Sequence, residues 1–332
     1  MKYILSFGGG IQSTALGLRF INDDIDYPRP DTFIFADTGW ERESTYKHVA
    51  NFSKIVESAG IRFITVSGGN LLEVLLNPEK PRPEMPSFIN ASRWITIDGL
   101  RTLLISDTKK QYRKLQKAAR TQDVLIPLPP LEKLLSSALE KFDAGVAEGK
   151  IAPGWKEMKT AMLGRQCTQR LKIRPIRKYL KEEMQATKDN PVGQYIGISF
   201  DEWHRMTTSD DKRFELLYPL VKARISREDC EKYILACGYE LPEKSACVGC
   251  PYHSNATWES LNDKELEEVM HVEQILNHFI KNSPLGTRPY FANGIRFHSS
   301  MRPMYERPFD TEKEDVDMLS RDGVCGAAGC FL

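Results

Sequence analysis

Cysteine side chains are the residues of this sequence whose spacing most directly suggests chemistry. Cys247 and Cys250 are separated by two residues, with Gly249 between them and Pro251 after them. This spacing puts both sulfurs on one side of a tight turn, as a metal ion or an iron–sulfur cluster requires. We expect Cys167 to be a third ligand, because it begins another element in the same half of the chain. The alternative is a cysteine pair that holds no metal.

The ligand set favours one kind of metal centre over another. Three thiolates with an open fourth position suit a [4Fe–4S] cluster with one labile iron better than a closed structural zinc. A zinc site that uses His253 as its fourth ligand is the alternative. Seven cysteines in a long chain without secretory features argue against a disulfide framework.

Two further cysteines lie in the glycine-rich C-terminal segment. Cys325 and Cys330 are separated by four residues, two of which are glycines. Thiols on a mobile terminus can swing into a site and attack or resolve a persulfide or a disulfide. The alternative is a frayed chain end with no chemical role.

The N-terminal stretch has the pattern of an anion-binding loop. An apolar strand is expected at 3–7, three glycines follow at 8–10, and helical spacing begins at Ser13. Glycines let backbone N–H groups approach an anion closely, and the helix N-terminus adds partial positive charge. Ser13 and Thr14 can add hydroxyl donors. The same pattern without a ligand is an ordinary strand-to-helix turn.

Acidic and basic side chains follow two other predicted strands. Asp37 comes after the strand expected at 32–36, and Asp201 and Arg205 follow the strand expected at 192–200. Ligands of open α/β sheets bind at the carboxyl ends of the strands, so we expect Asp37 to lie beside the glycine loop. A helix N-cap or turn role is the alternative for Asp37.

The order of elements predicts the fold class. A helix is expected at 43–58 and another strand at 62–66, and this alternation of strand and helix is typical of an α/β protein with a parallel sheet covered by helices. Prolines and a basic helix interrupt the alternation. We therefore predict a nucleotide-binding α/β domain from 1–77 and 154–240, a helical insert or lid at 78–153, and a cysteine-containing C-terminal region at 241–332.

Charge and hydropathy indicate whether the chain can bind polyanions or membranes. The chain has 46 basic and 45 acidic residues, so a polyanion can only be bound by a local patch. The basic stretch 109–120 is such a patch: it either contacts a nucleic acid or is a solvated helix face. No apolar run approaches the ~20 residues of a membrane span and no signal peptide is evident, so we expect a cytoplasmic protein without membrane contact. The sequence indicates no particular oligomeric state.

Together, these motifs resemble the PP-loop superfamily of ATP pyrophosphatases and, within it, the phosphoadenosine phosphosulfate (PAPS) reductase family. The similarity spans the chain except for the insert, and the ordered set is more specific than any single motif. It is carried by Ser6-Phe7-Gly8-Gly9-Gly10-Ile11-Gln12-Ser13-Thr14, by Asp37-Thr38-Gly39, by Cys167 with Lys172, by Gly197 with the acidic pair Asp201-Glu202 and Arg205, and by Cys247 to Pro251.

The resemblance implies a Rossmann-like fold of the adenine nucleotide alpha hydrolase type, with the nucleotide over the second strand and its phosphates in the glycine loop. The implied nucleotide-binding residues are Ser6, Gly8, Gly9, Gly10, Gln12, Ser13, Thr14, Asp37, Thr38, Gly39, Gly197 and Asp201. The implied metal ligands are Cys167, Cys247 and Cys250. The candidate catalytic residues are Asp37, Lys172, Arg205, Cys325 and Cys330.

Two departures from the family pattern point in opposite directions. Gly8 replaces a serine and Gln12 replaces an aspartate of the ATP-cleaving branch, which makes the loop similar to that of sulfonucleotide reductases and argues against ATP cleavage with magnesium. The single Cys167 with Cys-x-x-Cys is instead similar to cluster-dependent tRNA thiolation enzymes and to the phosphorothioation enzymes of DNA modification.

Three functions follow from the resemblance. The first, which we favour, is an ATP-dependent sulfurtransferase that adenylylates a nucleobase or related acceptor and takes sulfur from the cluster or from a cysteine desulfurase. Lys172 and Arg205 would then neutralise phosphate charge. The second is a sulfonucleotide reductase that releases sulfite from PAPS or adenosine phosphosulfate with a thioredoxin-like partner. The third is a non-enzymatic, nucleotide-binding redox sensor.

Overall fold

The computed structural model describes residues 1–79, 85–95, 97–121, 129–151, 154–162, 166–284, 291 and 294–306. In chain order the strands are β1 (Lys2–Phe7), β2 (Thr32–Asp37), β3 (Arg62–Ser67), β4 (Phe88–Ile95), β5 (Gly154–Met162), β6 (Val192–Ile196), β7 (Phe214–Leu217) and β8 (Ile295–Arg296). The helices are α1 (Ile11–Ile21), α2 (Glu43–Ser58), α3 (Leu71–Leu75), α4 (Ile97–Thr121), α5 (Leu131–Ala147), α6 (Arg174–Glu182), α7 (Pro219–Lys222), α8 (Arg227–Ala236), α9 (Asn255–Glu259) and α10 (Asp263–Lys281).

A five-stranded parallel sheet with the order β3-β2-β1-β6-β7 forms the centre of the α/β part. From β1 the chain first adds β2 and β3 on one side, and β6 and β7 are later added on the other side. The strand order therefore reverses between β1 and β6. In open parallel sheets the crevice at this reversal is where ligands bind. The α/β class and the helix-covered parallel sheet predicted from the sequence are confirmed.

Alternating side chains cover the two faces of this sheet. Leu5 and Phe7 of β1 pack in one buried cluster with residues of α1, α2 and α8, whereas Ile4 packs in a second cluster with residues of α6. This separation follows from the period of two residues along a strand. Both faces are apolar, as expected for a parallel sheet that is covered by helices on both sides.

A second sheet lies outside the parallel one. Antiparallel pairing joins β5 to β4 and β4 to β8, and α4 and α5 connect β4 to β5 in the chain. The predicted helical insert therefore also contains a strand. Residues 154–162, which the sequence analysis assigned to the nucleotide-binding domain, pair with β4 and not with the parallel sheet. A strand pattern fixes which residues share a face but not which sheet the strand joins, and this explains the difference.

The strand predicted at 192–200 is shorter in the structure. β6 ends at Ile196, and after Gly197 the residues Phe200–Arg205 form a 3₁₀ helix. The first residues after β6 thus lie above the end of the sheet. This positions the side chains of Glu202 and Arg205 beside Gln12 at the start of α1.

The C-terminal region shares a core with the loops of the α/β part. Trp258, which is completely buried, belongs to a cluster with residues of α10, with Trp40 after β2 and with Leu171. Val248, from the Cys-x-x-Cys segment, is part of the same cluster. In the described ranges no helix is long and apolar enough to cross a membrane.

Arg42 fastens the start of α2 to the C-terminal region. Its side chain is 6% exposed and donates to the carbonyl oxygen of Ser260 over 2.9 Å and to the hydroxyl of Ser260 over 3.2 Å. Its Nε lies 3.5 Å from Oε2 of the buried Glu265. Glu265 in turn accepts from the backbone N–H of Glu43 over 3.1 Å. This buried ion pair holds the two regions in a fixed relation.

We predict that Arg42→Ala destabilises the protein by about 3 kcal/mol, because Glu265 is then left as a buried charge without its cation. Arg227→Ala is the matched control. Arg227 forms a surface pair with Glu231 over 3.1 Å and its side chain is 42% exposed, so its loss should cost less than about 1 kcal/mol. Urea unfolding of both variants measures the two values, and equal losses would contradict the assignment.

Candidate functional site

The glycine loop between β1 and α1 has the geometry of a tight turn. Gly9 has a φ of +73°, and a Cβ at this position would lie 3.3 Å from Cγ2 of Val49. Gly10 precedes α1 with an extended backbone, and its carbonyl accepts from the hydroxyl of Ser13 over 3.0 Å. The first turn of α1 contains no acidic residue. The backbone N–H groups at this helix start therefore favour an anion.

Gly197 forms the opposite wall of the crevice. A Cβ at Gly197 would lie 2.8 Å from the backbone nitrogen of Ser13 and 2.9 Å from its Cα. The chain after β6 therefore approaches the first turn of α1 more closely than any side chain would allow. The structure brings Gly197 and Ser13 together at the point where the strand order reverses.

Glu202 connects two of the predicted residues. Its Oε2 accepts from Nε2 of Gln12 over 3.1 Å and from Nη1 of Arg205 over 2.6 Å. Asp201, the acidic residue that was expected to bind nucleotide, instead accepts from the backbone N–H of Arg227 over 2.8 Å at the start of α8. Successive residues of a 3₁₀ helix point about 120° apart, which sends Asp201 and Glu202 in different directions.

Two other predicted residues, Ser6 and Thr14, form hydrogen bonds with side chains of the sheet and of α2. The hydroxyl of Ser6 accepts from Nε2 of Gln194 over 2.6 Å, inside the sheet. The hydroxyl of Thr14 lies 2.9 Å from Nε2 of His48. Burial lowers the pKa of His48 to about 4, so its ring is neutral at physiological pH. These contacts hold the first turn of α1 against the sheet and α2.

Asp37 organises the loop after β2. Its Oδ1 accepts from the backbone N–H of Gly39 over 2.8 Å and from the hydroxyl of Tyr46 over 2.8 Å. Gly39 has a φ of +74°, and a Cβ there would lie 2.7 Å from the side chain of Asn70. The structure therefore gives Asp37 the turn role that the sequence analysis left open. A catalytic role for Asp37 remains a prediction.

The Cys-x-x-Cys segment is attached to both loops. The hydroxyl of Ser245 donates to the carbonyl oxygen of Gly8 in the glycine loop. The backbone N–H of Val248 donates to the carbonyl oxygen of Trp40 over 2.9 Å, and Glu41 and Cys247 form an isolated antiparallel bridge. The segment 245–250 therefore lies beside the glycine loop and the loop after β2 at the same time.

A buried carboxylate gathers groups around Cys247. The side chain of Glu41 has no exposed surface. Its Oε1 accepts from Thr38 over 3.0 Å and from Nζ of Lys172 over 2.9 Å, and it lies 3.6 Å from Sγ of Cys247. The hydroxyl of Thr38 is also 3.3 Å from the same sulfur. Oε2 of Glu41 has no hydrogen-bond partner among the described residues.

The charge environment of Cys247 opposes ionisation of its thiol. Burial and the Glu41 carboxylate raise its pKa well above the usual value, and the charge of Cys167 raises it further. Lys172 and the hydrogen bond from Thr38 lower it in part. The thiol therefore keeps its proton at neutral pH unless a positive charge, such as a metal centre, is added.

Cys167 lies at the start of a π-helix formed by Thr168–Ile173, which also carries Lys172. A Cβ at Gly68, after β3, would lie 2.7 Å from the carbonyl oxygen of Arg170, so the end of the sheet packs directly on this helix. Cys167 and Cys247 contact the same apolar cluster. The structure thus brings Cys167, Lys172 and Cys247 to the region beside Glu41. π-turns of this kind are frequent at functional sites.

His253 supports the Cys-x-x-Cys turn from behind. The backbone N–H of Cys250 donates to the carbonyl oxygen of Cys247 over 3.0 Å, which closes the turn. Nε2 of His253 lies 3.0 Å from the carbonyl oxygen of Val248, so this nitrogen carries the proton. The ring is 1% exposed and packs edge-on against Trp258. The zinc alternative would require the other nitrogen, Nδ1, which has no partner within the described ranges.

In the described part of the chain, no group of three or more His, Cys, Asp or Glu side chains is arranged to hold a single metal ion. A metal centre held by Cys167, Cys247 and Cys250 therefore stays a prediction. The buried Oε2 of Glu41, which has no hydrogen-bond partner among the described residues, is an acceptor that a donor or a cation would satisfy.

Glu41, Ser245 and His48 were given no role from the sequence. His48 is 34 residues from Thr14, and Glu41 is 206 residues from Cys247. Glu41 had a local signal, because it follows the predicted Asp37-Thr38-Gly39 turn. Glu202 was quoted as part of the acidic pair Asp201-Glu202, but only Asp201 was expected to bind the nucleotide. Cys325 and Cys330 lie outside the described residues, so their predicted chemistry has no structural counterpart here.

No family model, curated protein or solved structure matches this chain. The resemblance to the PAPS reductase family therefore rests on the ordered motifs themselves.

We predict that acid weakens the fold through His253. Burial, followed by the charge of Lys244, lowers its folded-state pKa to about 3, whereas the unfolded chain has a pKa near 6.5. Because the unfolded state binds the proton more readily, stability present above pH ~6.5 is lost as the pH falls. Between pH 6.5 and 5 this ring should account for a loss of about 2 kcal/mol.

His253→Gln tests this assignment, because an amide can donate to Val248 but does not titrate. Urea unfolding at several pH values should show a decline that is smaller than that of the unmodified protein by about 2 kcal/mol between pH 6.5 and 5. The exposed His271, replaced by Gln, is the control and should leave the decline unchanged. An unchanged decline in His253→Gln would contradict the role of this ring.

Proposed function

We propose that the protein is an ATP-dependent sulfurtransferase that adenylylates a nucleobase, nucleic acid or related acceptor and replaces an oxygen of that acceptor by sulfur. The observation that carries the proposal is the attachment of segment 245–250 to the glycine loop through Ser245 and to the loop after β2 through Val248. A thiol-bearing segment next to a phosphate-type loop is the arrangement that joins nucleotide activation to sulfur delivery.

The nucleotide half of the proposed site is the crevice between β1 and β6. The backbone of residues 8–10 and the start of α1 would bind the phosphates. Gly197 lets the chain after β6 lie close against Ser13 at the edge of this loop. Arg205, held by Glu202, would neutralise phosphate charge. Gln12 replaces the acidic residue of the ATP-cleaving branch, but the carboxylate of Glu202 lies within a hydrogen bond of it. Glu202 would therefore be the carboxylate that supplies an oxygen ligand to magnesium.

The sulfur half of the proposed site contains Cys167, Cys247 and Cys250. These thiols would hold a [4Fe–4S] cluster, which when bound supplies an open iron position that can carry sulfide. Bonding to iron would take the place of the thiol proton of Cys247 and so allow the thiolate to form beside Glu41. Lys172, held by Glu41 over 2.9 Å, would keep a positive charge beside the thiols.

The proposed reaction has two displacements. In the first, an oxygen of the acceptor attacks the α-phosphorus of ATP, the bond from this phosphorus to the bridging oxygen breaks, and pyrophosphate leaves with the electron pair. In the second, hydrosulfide attacks the activated carbon, the carbon–oxygen bond breaks, and AMP leaves with the former acceptor oxygen. With sulfide as the sulfur source, no oxidant or reductant is consumed. A cysteine desulfurase delivers sulfur as a persulfide, so with this donor a thiol reductant must reduce the persulfide to release hydrosulfide.

Product analysis distinguishes this function from the sulfonucleotide reductase. We expect the anaerobic holoprotein with ATP, sulfide and an RNA or DNA acceptor to release pyrophosphate and AMP. Arg205→Met should reduce this rate by about 100-fold, the magnitude typical of losing one charge that stabilises a transition state. Sulfite from PAPS and thioredoxin, abolished in a Cys325→Ala/Cys330→Ala variant, would favour the reductase. Nucleotide binding without release of pyrophosphate or sulfite would favour the non-enzymatic redox sensor.

A separate measurement addresses the metal. We predict that anaerobically prepared protein is brown and contains iron and sulfide, and that Cys247→Ala removes the visible absorbance. Cys237→Ala is the control, because Cys237 lies 3.7 Å from Asn22 in a different cluster and should leave the absorbance unchanged. Zinc without iron in the unmodified protein would overturn the cluster assignment.

A further inference from the structure

The helix α4 has two chemically different faces. At 100° per residue, Lys109, Lys110, Arg113, Lys114 and Lys117 fall within an arc of about 140° on one side of the helix. All five side chains are exposed, and we call this set the basic stripe. The opposite side carries the half-buried residues Leu104, Ile105, Thr108, Tyr112 and Leu115. The helix is therefore amphipathic, with cations on its outer side.

Packing against α5 fixes the direction in which the stripe faces. α4 and α5 pack against each other, and Phe142 of α5 is buried. At the other end of α4, Arg101 forms an ion pair with Asp143 of α5 and lies over the ring of Phe142. The apolar face is thus already covered by the chain itself. The basic stripe remains on the outer surface of this helix pair.

The stripe is a local concentration of charge in a nearly neutral chain. The whole chain has a formal net charge of +1, yet residues 108–121 contain no acidic residue. Arg113 and Lys117 follow Lys109 at intervals of four residues, so successive cations of this row are separated by about 6 Å along the axis. A second row is formed by Lys110 and Lys114. A regular array of this kind complements a regular array of anions.

We propose that the basic stripe binds the sugar–phosphate backbone of a double-helical nucleic acid. The stripe is about 12 Å long, from Lys109 to Lys117. Over that length a double helix presents about seven phosphates and a single strand only three or four. Five cations therefore match the charge density of a double helix and exceed that of a single strand.

The side chains of the stripe also indicate the mode of contact. Lysine is a flexible point charge that contacts phosphates without reading bases. Among the described side chains of α4, the single aromatic residue is Tyr112, which lies on the half-buried face, so the helix offers no exposed ring for stacking on unpaired bases. Binding should therefore be strong at low salt and independent of sequence.

The proposal that the stripe binds a nucleic acid depends only on the stripe, whereas the reason for this binding rests on the proposed function. If the protein thiolates a base, the stripe holds the helical part of the acceptor, and the acceptor is a nucleic acid. The binding experiment contains no ATP and no sulfur source. Its result is therefore separate from the assay of pyrophosphate release, and either can fail without the other.

The experiment measures fluorescence anisotropy of a labelled 20-base-pair DNA duplex titrated with the full-length protein at several salt concentrations. The triple variant Lys110→Gln/Arg113→Gln/Lys114→Gln should bind at least tenfold more weakly at 100 mM salt. Its slope of log affinity against log salt should be shallower by about 2 to 3, since each lost phosphate contact contributes about 0.9. Circular dichroism melting confirms that the variant is folded.

A matched control removes the same charge elsewhere. Lys178→Gln/Lys188→Gln/Lys232→Gln replaces three exposed lysines of other elements and should change affinity less than twofold. Equal weakening by both triple variants, or absence of duplex binding by the unmodified protein, would overturn the proposal. A single-stranded 20-mer bound as tightly as the duplex would also overturn it. So would stripe-dependent binding of vesicles that contain phosphatidylserine, if duplex affinity is independent of the stripe.

Discussion

The buried carboxylate of Glu41 is the constraint on which the candidate site depends. An ionised group without exposed surface must be compensated by nearby donors and cations, because its transfer out of water is very unfavourable. Thr38, Lys172 and Cys247 meet that requirement, and each comes from a different segment of the chain. The need to satisfy one charge therefore fixes the relative positions of the loop after β2, the π-helix and the Cys-x-x-Cys turn.

Glu202, which is less buried than Glu41, is also a carboxylate that joins separate segments of the chain. Glu202 joins Gln12 at the start of α1 to Arg205 of the 3₁₀ helix. Each carboxylate holds one cation: Glu41 holds Lys172 over 2.9 Å, and Glu202 holds Arg205 over 2.6 Å. The backbone also contributes, since a Cβ at Gly197 would lie only 2.8 Å from the backbone nitrogen of Ser13 and only glycine permits this close approach.

Local patterns were sufficient to predict the parallel sheet, because apolar strands, amphipathic helices and glycine turns can each be recognised from residues that are close together in the sequence. They also identified the crevice, since Gly9 and Gly197 follow strands. The partners of Glu41 and the pairing of β5 with β4 depend on contacts between distant segments, which periodicity does not contain. Asp201 was expected to face the crevice, because motif spacing shows which residues follow a strand but not where each side chain points. In the structure the rotation along the 3₁₀ helix makes Glu202 the residue that faces Gln12.

The bridge between Glu41 and Cys247 joins residues that are 206 positions apart. During synthesis, most of the chain must therefore leave the ribosome before the thiols can meet the carboxylate. The N-terminal strands and the glycine loop emerge long before that point. β1 can then pair with β2, but its second neighbour, β6, has not yet been made. The thiol site therefore assembles only after the N-terminal strands have been made. A metal centre at this place would be inserted after those strands and not guide their folding.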